Sequence, residues 1–226
     1  MNSATCFAEI ASGRRSIRRF LPTPVPRELI LELLDLAARA PSGVNTQPWQ
    51  VHVLTGAAKA RLTAALLKEY ETPSFEHQGE YDYYPAEWVE PYLSRRRATG
   101  QGLYALLGIE KKDRERMHTQ WGRNFEFFDA PVGLVFTLDK CMGQGSFIDY
   151  GAFLQTLMLA ARSRGLESCV QAALNDYHPV IHRELEILDS QLIIAAMSFG
   201  YADPDAPENQ LDLPRVPASE FTHFHE

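Results

Sequence analysis

Arg14-Arg15-Ser16-Ile17-Arg18-Arg19 places four guanidinium groups in six positions of a chain whose formal net charge is −7. In an extended segment, Arg14, Ser16 and Arg18 would share one side and Ile17 would point to the other, because successive strand side chains alternate. That side suits an anion. Guanidinium forks match phosphate oxygens and a serine hydroxyl adds a donor, so a phosphate monoester is the expected ligand. A second polar constellation follows at Ala40-Pro41-Ser42-Gly43-Val44-Asn45-Thr46-Gln47-Pro48-Trp49-Gln50. Its prolines and glycine forbid continued helix, while Ser42, Asn45 and Gln47 offer short polar arms to a ligand or to their own backbone.

No recognisable acid, base or nucleophile accompanies this anion site. The chain has no G-x-G-x-x-G fingerprint after a strand, no phosphate loop ending in Gly-Lys-Ser, and no G-x-S-x-G elbow, and no predicted helix is expected to carry two histidines four residues apart. His52 falls in a strand pattern and reads as a structural histidine. His223 and His225 beside Glu226 read as solvent-facing terminal groups. The cysteines Cys6, Cys141 and Cys169 stand far apart, which suggests neither a disulfide framework nor a cysteine zinc site. No metal is expected. An anion site without its own acid–base machinery points to a cofactor that carries the reaction.

The elements around these residues follow from hydrophobic period. Ala4 to Ser12 reads as a short helix ending at Gly13, and Leu21 to Pro26 as a stiff connector. Leu29, Ile30, Leu33, Leu34, Leu36, Ala37 and Ala40 recur at helical spacing, predicting a helix over Arg27 to Ala40 that delivers the chain to the Pro41 loop. Gln50 to Leu54 alternates as a strand, and Ala57 to Tyr70 reads as a helix. From Glu71 to about Gly108 the period loosens into an aromatic excursion with Tyr81, Tyr83, Tyr84, Trp88 and Tyr92, suited to a lid or to the edge of a core. Lys111 to Phe128 reads as a helix with Trp121, Phe125 and Phe128 able to face inward. Val132 to Leu138 is a buried strand. Phe147 to Arg164 is a mostly apolar helix expected in the middle of the molecule, capped by Gly165. Ser168 to Leu174 reads as a strand, Asp176 to Leu188 as a helix, and Gln191 to Phe199 as a long apolar strand. The tail after Tyr201 contains four prolines and returns to strand-like chemistry only near its end.

With 226 residues and 45% hydrophobic content the chain supports one core, so residues 1–226 are read as a single domain. The acidic balance argues against a nucleic-acid partner. No apolar run approaches the length of a membrane span and the N-terminus lacks an export signal, so a cytoplasmic protein is expected.

Arg14-Arg15-Ser16-x-Arg18, followed by Ala40-Pro41-Ser42-Gly43-x-Asn45-x-Gln47-Pro48-Trp49, resembles the flavin-binding signature of the FMN-dependent nitroreductase family. The resemblance continues through Asp149-Tyr150-Gly151, Gln155, Leu159-Ala160-Ala161 and Gly200 to Asn209, with Arg215 beyond. It implies an α+β fold with a mostly antiparallel central sheet flanked by helices, as a homodimer with exchanged C-terminal arms. It further implies FMN at the subunit interface, its phosphate held by Arg14, Ser16 and Arg215 with help from Arg15, and Arg18 near flavin N1 and O2. Pro41, Ser42, Gly43 and Asn45 would come from the other subunit. Gln155 belongs to the cofactor set, and Val170, Gln171 and Ala172 would pass backbone groups near N5 and O4. The implied activity takes hydride from NADH or NADPH and reduces a small nitroaromatic or quinone-like acceptor by a ping-pong mechanism. The alternatives are a reductive dehalogenase of iodotyrosine type, a flavin store or sensor without turnover, and a flavin-fragmenting enzyme like a vitamin B12 ligand synthase. Ala172 stands where the dehalogenase would place a hydroxyl side chain, which favours hydride chemistry.

Overall fold

The computed structural model describes residues 3–72 and 79–226. In chain order the helices are α1 (Ser3–Gly13), α2 (Arg27–Ala37), α3 (Gly56–Tyr70), α4 (Tyr92–Leu106), α5 (Arg114–Gly122), α6 (Gly145–Ser163) and α7 (His178–Leu185). The strands are β1 (Gln50–Thr55), β2 (Val132–Asp139), β3 (Glu167–Gln171) and β4 (Gln191–Gly200), in the sheet order β1-β2-β4-β3 with every neighbouring pair antiparallel.

The central strands β2 and β4 are buried along most of their length, as their continuous apolar runs require. Leu134 and Phe136 point to one face, where they pack with Leu33 and Ala37 of α2 and Phe153 and Leu157 of α6. Val135, Ile193 and Ala196 point to the other, against Leu62 and Leu66 of α3 and Val180 and Ile181 of α7. The sheet is therefore the middle layer of three. Its register slips between Phe136 and Thr137, which face Ala195 and Ile193, so that Ile194 is an extra residue in β4. The Ile194 carbonyl freed by this bulge accepts hydrogen bonds from the Tyr81 hydroxyl at 2.5 Å and from Asn175 Nδ2 at 3.1 Å.

Several elements differ from the hydrophobic pattern. α2 stops at Ala37 rather than Ala40, with Ala38 to Ala40 completing a tightened last turn; Pro41 drives the residue before it out of helical geometry. The excursion from Glu71 to Gly108 contains α4, whose side chains include no fully buried residue and so carry no helical stripe to read. Residues 73–78 of that excursion lie outside the described residues. Within it, Tyr81 covers the sheet while Tyr83, Tyr84 and Tyr92 are exposed.

The predicted helix Lys111–Phe128 is only α5, followed by a tight turn in which Phe127, Phe128 and Asp129 all take left-handed φ of 55°, 50° and 64°. Each such residue costs about 1–3 kcal/mol. Burying the Phe127 and Phe128 rings recovers roughly 1.5–3 kcal/mol apiece, which offsets much of that cost. Phe125 and Phe128 face inward as expected, but Trp121 is 52% exposed. β3 ends at Gln171, and a short 3-10 turn at Asn175–Tyr177 precedes α7, whose first turn carries Pro179. The end of the tail forms no strand in the single chain; it has a 3-10 turn at Ala218–Glu220 and leaves Phe221 and Phe224 exposed.

Candidate functional site

The arginine segment is extended, as its alternation predicts, and lies along the free edge of β3. Ser16 makes a parallel bridge to Ser168, and Ile17 N–H donates to Ser168 O at 3.1 Å. Ile17 and Phe20 are buried and act as the anchors of the segment, while Arg14, Ser16 and Arg18 stay half-buried. Arg15 is exposed.

Asn209 ties the start of the tail to this segment. Its Oδ1 accepts from the backbone N–H of Arg18 at 2.8 Å and of Arg19 at 3.2 Å, and its Nδ2 donates to Arg19 O at 2.8 Å and Asp203 O at 2.9 Å. The sequence reading assigned Asn209 no role, because a side chain that serves backbone groups about 190 positions away leaves no local signal. Asn209→Ala strands two N–H donors and is expected to lower stability by roughly 2–4 kcal/mol. Urea unfolding of the two proteins measures it, and a shift under about 0.5 kcal/mol would remove Asn209 from this role.

The electrostatics of the segment favour an anion. Burial lowers the Arg14 pKa below the ordinary guanidinium value, and Arg215 of the same chain lowers it further, with Glu167 opposing. Glu167 is the carboxylate at hand, and it is already ion-paired with Arg162; burial pushes its own pKa up against the pull of Arg162, Arg14 and Arg15. Arg162 lies so close to the backbone of Gly13 that a Cβ there would run into its guanidinium. Arg14 is thus a half-buried cation that feels Arg215 and whose nearby carboxylate, Glu167, is already engaged by Arg162, an arrangement that a phosphate dianion completes. The donor set fits the phosphate end of FMN.

Arg18 Nη1 donates to Ser16 O at 3.2 Å, so its head turns back toward the β3 edge. Val170, Gln171 and Ala172 continue from Ser168 at the end of β3, about 7–13 Å along the strand. The Gln171 side chain is spent on the core: Nε2 donates to Asn124 O at 2.7 Å and Oε1 accepts from Ser198 Oγ at 2.6 Å. Only its backbone is left for a ligand.

The Pro41 loop is held from α6. Gly43 N–H donates to Asp149 Oδ1 at 3.2 Å, and the Trp49 ring stacks on Phe153 at 4.9 Å. Tyr150 Oη receives Gln50 N–H at 2.9 Å and donates to Thr137 O at 2.6 Å. Within the loop, Ser42 Oγ accepts from Gln47 N–H at 2.9 Å. Val44 (φ 46°), Asn45 (φ 61°) and Gln47 (φ 48°) are left-handed, and Val44 is 97% exposed. A β-branched side chain at positive φ with no burial to offset it marks a loop shaped for contact with something else.

This loop does not meet the arginines within one chain. Gln50, where it enters the sheet, pairs through Thr137 to Ile193, whereas Ser16 pairs through Ser168 to Phe199. Four strand spacings and six residues of rise separate these corners, roughly 25–30 Å. The structure therefore brings together Arg14, Ser16, Arg18, Arg215 and Val170 to Ala172, and sets Pro41, Ser42, Gly43 and Asn45 apart. Gln155 lies between the groups on an open stripe of α6 with Ile148, which is 78% exposed, and Gly151. α6 is covered on one face only, so its expected central position is not realised in a single chain.

Comparison with known proteins gives a consistent picture. A family model described as Nitroreductase family matches residues 11–201. The 4-nitrobenzoate reductase of Pseudomonas putida is 44% identical over 218 residues, covering 96% of this chain and 95% of that protein. The nitrobenzene nitroreductase of Ectopseudomonas oleovorans is 42% identical, covering 96% and 95%. The crystal structure of NfnB from Sphigopyxis sp. strain HMH, described as an FMN and NADPH-dependent nitroreductase, superposes with a TM-score of 0.94 at 35% identity, covering 97% of this chain and 99% of that one.

Proposed function

The chain belongs to the nitroreductase family, and on that premise we propose that it is an FMN-dependent oxidoreductase that takes hydride from NADH or NADPH and reduces nitroaromatic or quinone-like acceptors by a ping-pong mechanism. The observation that carries this reading is the extended segment bridged to Ser168, on which half-buried Arg14 and Arg18 flank Ser16, with Arg215 near enough to lower the Arg14 pKa. Bound there, FMN supplies the hydride-accepting and hydride-donating chemistry that these side chains lack. Arg14, Ser16 and Arg215 hold its phosphate, Arg15 assists, and Arg18 stabilises the negative charge that reduction places near N1 and O2. Backbone groups of Val170, Gln171 and Ala172 serve N5 and O4. The relatives that match almost the whole chain are nitro-group reductases, which does not favour the dehalogenase alternative.

The purified protein is expected to be yellow, to release about one FMN per chain on denaturation, and to bleach when mixed anaerobically with NADH or NADPH. Protein that is colourless and remains so when mixed with FMN would overturn the proposal. Bound flavin that neither reductant bleaches would instead leave a flavin store.

The site is proposed to be shared between two copies of residues 1–226, each a single domain. Three observations support this. Pro41 to Asn45 lie too far from Arg14 to serve the same flavin in one chain, the Ile148–Gly151–Gln155 stripe of α6 has no cover, and the tail beyond Asp212 is almost entirely exposed. A second copy in a C2 arrangement brings the Pro41 loop and Gln155 of one protomer to the arginines of the other. Among the described residues no helix is long and apolar enough to cross a membrane. A cytoplasmic location is part of the proposal, as is the absence of nucleic acid from its partners.

A further inference from the structure

His178 and His182 stand four residues apart on α7, a spacing that puts both rings on one helix face and that corrects the sequence expectation that no helix carries two histidines so placed. Glu80 meets them from the start of the aromatic segment. One ligand atom from each of the three lies within 4.8 Å of the others. Glu80 Oε2 is 3.5 Å from His182 Nε2 and 3.9 Å from His178 Nδ1. Zinc held at about 2.0–2.2 Å by nitrogen and oxygen donors has ligand-to-ligand edges of roughly 3.3–3.6 Å; the Glu80–His182 edge already has that length, and the other two must draw in as an ion binds.

The surroundings are those of a ligand set. His182 Nδ1 is 3.1 Å from Ile187 O; donating a proton there leaves the lone pair on Nε2, which is buried and has no hydrogen-bond partner. A carbonyl that orients a histidine in this way is the usual support of a zinc ligand. Glu80 is fixed by Lys140 Nζ at 2.9 Å on Oε1 and by Ile193 N–H at 2.9 Å on Oε2. These contacts, with the Tyr81 hydroxyl bond to the β4 bulge, hold the carboxylate against α7. Glu80 and His178 border a cleft of about 590 Å³ that is also lined by Lys140, Met142, Asp176 and Leu192, which gives the cluster a route to solvent.

We propose that Glu80, His178 and His182 form a divalent-metal site of the zinc class, with a water or a small anion from the cleft as its fourth ligand. Two imidazoles and one carboxylate select zinc over magnesium or calcium, which require oxygen donors. The site ties the aromatic segment to α7 and to the β4 bulge. It is separate from the arginine edge and needs no flavin.

The test is a zinc titration of the purified protein against a chromophoric chelator, with tryptophan fluorescence and circular dichroism to verify folding. One zinc per chain is expected, weakened at least about tenfold in His178→Gln, in His182→Gln and in Glu80→Gln, and unchanged when His223 and His225 of the tail are both replaced by alanine. His178 is the most exposed of the three donors, so His178→Gln keeps the test valid if a variant at the more buried His182 unfolds. Wild-type protein that takes up no stoichiometric zinc, or zinc uptake that His178→Gln leaves intact, overturns the proposal and leaves an ion-pair cluster around Glu80.

Discussion

A chain ended after Asn209 should fold, fail to dimerise and come off gel filtration without flavin. The fold should survive because Asn209, Tyr201 and Asp203, which hold the arginine segment by hydrogen bonds to Arg18, Arg19 and Leu21, are retained. What is lost is Arg215 and an arm whose side chains make little use of their own chain: Phe221 is 64% and Phe224 88% exposed. A stable dimer buries on the order of 1,200–2,000 Å². The apolar groups exposed on the tail and on α6 are expected to contribute to that area when the arm crosses to a second copy. Removing Arg215 alone weakens phosphate binding about ten- to a hundred-fold. Losing the partner's Pro41 loop as well should leave half a pocket and no measurable retention. Sedimentation of the truncated protein together with its flavin absorbance decides the matter: a truncated dimer that still carries FMN would show the shared-site argument to be wrong.

Arg14 and Arg18 sit four residues apart on the same edge, yet their replacement should have different consequences. Arg14→Ala removes a half-buried cation next to Arg215 and is expected to release FMN, weakening it by about ten- to a hundred-fold, the loss of roughly 1.5–3 kcal/mol for one charge-assisted contact. Part of that loss is offset, since Arg215 and Arg14 no longer repel each other in the free protein. Arg18→Ala should retain much of the flavin, lower its reduction potential and slow reduction by nicotinamide, because a cation near N1 and O2 interacts more strongly with the reduced than with the oxidised ring. The backbone of Arg18 remains anchored by Asn209, so the substitution tests the guanidinium and little else. A flavin titration and a potential measurement on both variants separate holding from tuning. An unchanged potential and a normal rate in Arg18→Ala would assign the positive charge at N1 to another group.

Much was legible in the chain itself, for local reasons. Alternation in the arginine segment called for an extended strand with Ile17 inward, and the bridge to Ser168 realises it. Continuous apolar runs foretold β2 and β4, and Pro41 together with Gly43 foretold the break after α2. Each of these signals lies within one turn or one pleat of the residue it governs. The family signature added an assignment of roles that periodicity alone does not contain.

Only the tertiary structure decided the rest, because the interactions responsible join residues far apart in sequence. The left-handed turn at Phe127 to Asp129 accompanies the burial of both rings, whose partners in the core lie far away in sequence. α4 escaped notice because it has no buried stripe to impose a period. Asn209 serves backbone groups about 190 residues away, and Glu80 comes to two histidines about 100 residues beyond it. The strand order β1-β2-β4-β3 is what sets the Pro41 loop and Arg14 on opposite corners of one sheet. Two motifs that read as neighbours in sequence are parted by the fold, and a ligand that needs both must find the second on another copy of the chain.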